Sequence, residues 1–129
     1  MADKIIYINS DARFDFTAQL VDPVTRKVVA ASLPVGTKLW SGVKPATPSQ
    51  DPPLVTKRNQ AAGGDEQQER VTDPVNGLFS AYLQDADTAQ LQDGKTYQID
   101  GWVELIDGTK WCAGILTFTA KWAVWRNPT

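Results

Sequence analysis

Apolar residues recur with period two along most of this chain, the spacing of half-buried strands rather than of helices. Lys4 to Ile8 reads as a short strand around the apolar run Ile5 to Ile8. From Arg13 to Val21, Phe14, Phe16, Ala18 and Leu20 alternate with Arg13, Asp15, Thr17 and Gln19, so one side of a strand is apolar and the other wet. Asp22-Pro23 stops that strand, because proline fixes φ and removes a ladder donor. Arg26 to Ala31, Thr37 to Val43 and Leu78 to Leu83 read as further strands, the last entered through Asn76-Gly77, a pair suited to positive φ. Asp85 to Leu91 predicts a single helical turn, with Asp87 as its expected N-cap.

The strongest local signal is Asp107-Gly108, set between alternating runs at Lys95 to Ile106 and Thr109 to Trp125. A two-residue loop at Asp107-Gly108 fixes a register. Leu105 then faces Lys110, Val103 faces Cys112, Gly101 faces Gly114, Ile99 faces Leu116, and Tyr97 faces Phe118. These pairs predict the core face of the hairpin, with Cys112 as a small inert core residue. Gly101 opposite Gly114 leaves a hollow in that face, which Trp40 from the opposing sheet is expected to fill. The other face carries Trp102, Trp111 and Ile115 among Asp100, Glu104 and threonines. That is a mixture expected of an interface rather than of a core or a solvent face.

Residues 44–70 break the alternation. Pro45, Pro48, Pro52 and Pro53 precede Gly63-Gly64 with no apolar period between them. The segment predicts one long loop or arm. Two readings stand: a solvated excursion, or an arm bearing Pro52 and Pro53 that lies along a neighbour. Beyond Phe118 the last strand outruns its partner, so Trp122 and Trp125 are either the bottom of the core or an anchor in another protein.

Composition narrows the chemistry. The 129 residues suffice for one domain, and they include five Trp, no His and one Cys. Without His there is no His-dependent triad or dyad and no His metal ligand. A single Cys excludes an internal disulfide and a thiolate zinc site. The net charge of −2 argues against phosphate-backbone binding, and nucleic acid is not an expected partner. Residues 1–64 carry eight basic and five acidic side chains, residues 65–129 five basic and ten acidic, so the two halves differ in sign. Neither a signal-peptide core nor a membrane-spanning run is visible, and a membrane partner is not expected. Asp85, Asp87 and Asp93 lack the closing Glu of an EF-hand and suit turns and caps better. Asp100 and Glu104 share a strand face, but no cleft accompanies them. No catalytic group, cofactor or metal is expected.

Asn76-Gly77, Phe79, Ala81, Tyr82, Asp87-Thr88, Leu91, Gly94-Lys95-Thr96-Tyr97, Val103-Glu104 and Asp107-Gly108 follow a recognisable rhythm. It resembles that of small immunoglobulin-like domains in tailed-bacteriophage virions, in particular the N-terminal domain of upper baseplate proteins. The resemblance spans about 90 residues by the spacing of turns and strands, and the 44–70 segment is longer than that pattern. It implies a single antiparallel, immunoglobulin-like β-sandwich of about seven strands spanning residues 1–129. It also implies a non-enzymatic virion component of baseplate or tail, neck or capsid decoration, assembled in a host cytoplasm. Its partners would be other virion proteins and copies of itself. A second expectation, from the residues alone, is a carbohydrate-binding module with Trp102 and Trp111 as an aromatic platform for a glycan.

Overall fold

The computed structural model describes residues 4–46, 53–59 and 69–123. Ten strands and one helical turn follow in order: β1 Lys4–Tyr7, β2 Ala12–Thr17, β3 Gln19–Val21, β4 Val28–Ala30, β5 Lys38–Pro45, β6 Val55–Arg58, β7 Glu69–Asp73, β8 Leu78–Leu83, α1 Asp85–Thr88, β9 Thr96–Glu104 and β10 Lys110–Lys121. They form a five-stranded sheet ordered β1-β10-β9-β5-β6, a three-stranded sheet ordered β2-β8-β7, and a ribbon of β3 and β4. The all-β sandwich expected from the alternation is present.

Three details differ from the sequence reading. More strands form than the expected seven or so, because the chain is cut finely at turns. The sheets are not wholly antiparallel, since β1 runs parallel to β10 with Lys4 opposite Phe118. Residues 44–70 are not all loop: β5 extends to Pro45, Val55–Arg58 forms β6 against β5, and β7 begins at Glu69. Val55 and Lys57 are the inward residues of β6. Four residues with one apolar anchor are too few to register as a period.

The core lies between the two larger sheets. Phe14 and Phe16 of β2 and Phe79 of β8 face Leu39, Val43, Tyr97, Ile99, Val103 and Phe118 of the five-stranded sheet. Phe14 meets Phe118 at a centroid distance of 5.1 Å, and Phe16 stacks on Phe79 at 5.3 Å. Gly101 does pair with Gly114, and the hollow is real. Phe16 fills it, not Trp40: a Cβ on Gly101 would lie 2.7 Å from the Phe16 ring. Trp40 sits between Leu39 and Ser41, both facing the core, so alternation turns it to the outer face.

The turn before β8 behaves as its sequence suggests. Gly77 has φ +71, and a side chain there would strike the carbonyl oxygens of Ala18 and Ala31 at about 2.5 Å. Gly77 carbonyl oxygen accepts the Ala18 N–H at 2.8 Å, tying the root of the β3–β4 ribbon to the body. Asp87 is not the N-cap of α1. Gln84 is, and Asp87 closes a capping box by accepting the Gln84 N–H at 2.8 Å.

Candidate interaction surfaces

The tip of the β9–β10 hairpin decides which residues reach the outer face. Its loop has three residues, not two: the Leu105 N–H bonds the Thr109 carbonyl at 2.9 Å, and Gly108 has φ +92. The ladder therefore starts one residue out of the expected step. Trp111 pairs with Val103 and Cys112 with Trp102 until a bulge at Ala113 restores the step at Gly114–Gly101. Trp111 is thereby turned inward and packs against the core, while Cys112 faces outward. Trp102 and Trp111 do not share a face, and the platform expected of them does not exist. The sequence reading missed this because loop length alone sets the pairing step, and Asp-Gly suits both lengths.

Trp40 takes the vacant place. Register runs Arg58–Trp40–Trp102–Cys112 across four strands, and Thr56–Gly42–Asp100–Ile115 beside it. The Trp40 and Trp102 rings are parallel within 5° and stack at a centroid distance of 6.0 Å. Each ring thus occupies one face of the other. Lys38 and Glu104 face each other at 4.0 Å at the margin. Asp100 Oδ1 accepts the Gly42 N–H at 2.9 Å, so this carboxylate fixes the backbone of β5. Ile115 is 61% exposed on the same face, with Ile5 and Tyr7 of β1 exposed further along it.

The remaining expected contact residues divide. Pro53 packs on the outer face of Gly42, where a Cβ would meet its ring at 3.1 Å, so this residue covers part of the surface. Trp122 is partly buried against the core, and its N–H bonds Asp93 Oδ1 at 2.8 Å. Pro52 and Trp125 lie outside the described residues.

Two buried ionisable groups, Glu69 and Lys57, carry no signal in the sequence. Glu69 is fully buried on the inner face of β7, where the Ser41 hydroxyl donates to its Oε1 at 2.7 Å. Burial raises its pKa to about 8, the Ser41 bond opposes the rise, and the Asp100 charge adds to it. Its Oε2 has no hydrogen-bond partner. Lys57, inward on β6, reaches Asp87 of α1 at 2.5 Å. Both Glu69 and Lys57 fall within the segment that reads as a polar loop, where a charged residue carries no sign of burial. On the three-stranded sheet's outer face, the Ser80 hydroxyl and then Arg13 hold the Asp15 carboxyl below its usual range.

Among the described residues no group of three or more His, Cys, Asp or Glu is placed to hold a metal ion. No helix among them is long and apolar enough to cross a membrane. No protein-family model matches the chain, and no curated protein matches it at a significant level.

Proposed function

We propose that this protein is a non-enzymatic structural component of a tailed-bacteriophage virion, placed in baseplate or tail, neck or capsid decoration. It binds neighbouring structural proteins through the outer face of its five-stranded sheet. The observation that carries the reading is that face. A stacked Trp40–Trp102 pair, Cys112 and an exposed Ile115 lie in adjoining register rows among a few charges. Aromatic groups at the centre and charges at the margin are the composition of a protein–protein contact. The glycan reading has less support, because Trp111 turns inward and leaves Trp102 without the platform partner that reading requires.

Purified particles from the phage that encodes the chain test the reading. Antibody against the chain should detect it in density-banded virions. Trp102→Ala with Ile115→Asp should fold, as judged by its thermal transition, and fail to incorporate. Absence of the wild-type chain from particles, or normal incorporation of a folded double variant, overturns the reading.

A further inference from the structure

The β3–β4 ribbon is the part of the molecule with the least reason to stand alone. All six of its strand residues are exposed, yet Leu20, Val21, Val28 and Val29 are aliphatic. Leu20 pairs with Val29 on one face and Val21 with Val28 on the other, so neither face is polar. Val24 at the tip is 88% exposed. Free strand edges in soluble proteins are commonly blunted by a charge, a proline or a bulge. β4 reads Val28-Val29-Ala30 and contains none of these.

Backbone geometry specifies what the edge accepts. Asp22 N–H bonds the Lys27 carbonyl and Ala31 N–H bonds the Ala18 carbonyl, each at 2.9 Å. The bonded pairs of this antiparallel ribbon therefore fall at 18/31, 20/29 and 22/27. Val28 and Ala30 consequently direct their N–H and C=O groups away from β3. The matching occupant is another β-strand edge with donors and acceptors two residues apart.

We propose that this occupant is β4 of a second copy, paired antiparallel about a two-fold axis through Val29. Val28 of each copy then exchanges both backbone bonds with Ala30 of the other, and the two Val29 side chains meet at the axis. The charges fit this arrangement. The two-fold sets the basic tip, Arg26 and Lys27, beside the other copy's Ala31 to Leu33 segment. That segment, Ala31-Ser32-Leu33, is uncharged, so like charges do not face each other across the axis. The inference stands on the ribbon alone and not on the virion reading.

Sedimentation velocity of the full chain over a concentration series tests it, with thermal transitions as a check on folding. The wild-type chain should show a reversible monomer–dimer equilibrium. Val28→Pro removes an outward N–H without touching the β3–β4 ladder, and should leave a folded monomer. Val29→Arg sets two cations against each other at the axis and should do the same. In a Cys112→Ser background, Val29→Cys should oxidise to a symmetric disulfide-linked dimer, since directly opposed residues in a non-bonded pair approach within disulfide reach. Val24→Cys should not. A wild-type chain that stays monomeric to its solubility limit overturns the proposal. So does a dimer that survives both Val28→Pro and Val29→Arg, or a Val24→Cys chain that crosslinks as readily as Val29→Cys.

Discussion

The ring of Phe16 rests on the bare Cα of Gly101, closer than any side chain at that position would permit. Gly114, directly opposite Gly101, has its nearest Phe16 atom 4.0 Å from where a Cβ would stand. The two glycines therefore differ in consequence. Gly101→Ala should cost about 1–3 kcal/mol, the usual penalty for overfilling a close-packed core, and Gly114→Ala should be nearly neutral. Urea denaturation of the two variants decides the matter. Equal losses would mean that the hollow is shared and not centred on Gly101.

Glu69 should make stability fall as pH rises. Its folded-state pKa is raised from 4.5 to about 8 by burial. Between those values the unfolded chain has lost the proton and the folded chain keeps it. Stability should therefore be greatest at the acid side of the window and decline by up to about 1.4 kcal/mol per pH unit. Above about 8 both states are ionised and the decline ends. Glu69→Gln retains the shape without the titration, so its urea midpoint should be flatter with pH and higher than wild type at pH 8 (roughly the top of the window). An unchanged pH profile in the variant would assign the dependence to another group.

The Lys57–Asp87 pair joins β6 to α1 across the end of the core. Lys57 is nearly buried, whereas Asp87 is partly wetted and also holds the Gln84 N–H. Asp87→Asn strands an ammonium ion and should cost about 3 kcal/mol or more. Lys57→Met leaves a carboxylate with a remaining partner and should cost less. The double variant should lose less than the sum of the two, a coupling that a double-mutant cycle measures directly.

Much of the architecture was readable because strand alternation is a property of the residues themselves. β2, β5, β8, β9 and the body of β10 follow it, whereas the Gly101–Gly114 pairing follows from a two-residue loop and holds only because the Ala113 bulge offsets the third loop residue. What failed was anything set by a count rather than by a pattern. Trp111 and Cys112 exchange faces because the loop holds three residues instead of two, and no side chain announces that number. Size alone points Trp40 to the hollow, although its neighbours Leu39 and Ser41 occupy the inward positions. Lys57 and Glu69 are buried ionisable groups in a segment whose composition reads as solvated. Each needs its partner, Asp87 or Ser41, to be visible before the burial makes sense. Trp102 and Ile115 do lie on the outer face, but the tryptophan beside Trp102 is Trp40 and not Trp111.

The hairpin tip has a consequence for motion. A two-residue loop with no bulge and a three-residue loop with the Ala113 bulge reach the same Gly114–Gly101 rung. Between those endpoints residues 109–112 have two consistent alignments, one residue apart. The observed one hides the Trp111 ring and leaves its indole N–H without a partner. An unpaired buried donor costs about 1–3 kcal/mol, which narrows the gap to the other alignment, in which Trp111 swings out and Cys112 swings in. Ala113 is thus the residue that absorbs the extra loop position and returns the hairpin to the Gly114–Gly101 rung. Deleting Ala113 makes the observed alignment continuous and should lock it. Thiol labelling of Cys112 checks this: slower labelling in the wild type than in the deletion is expected if residues 109–112 exchange alignments, and equal rates would mean that they do not.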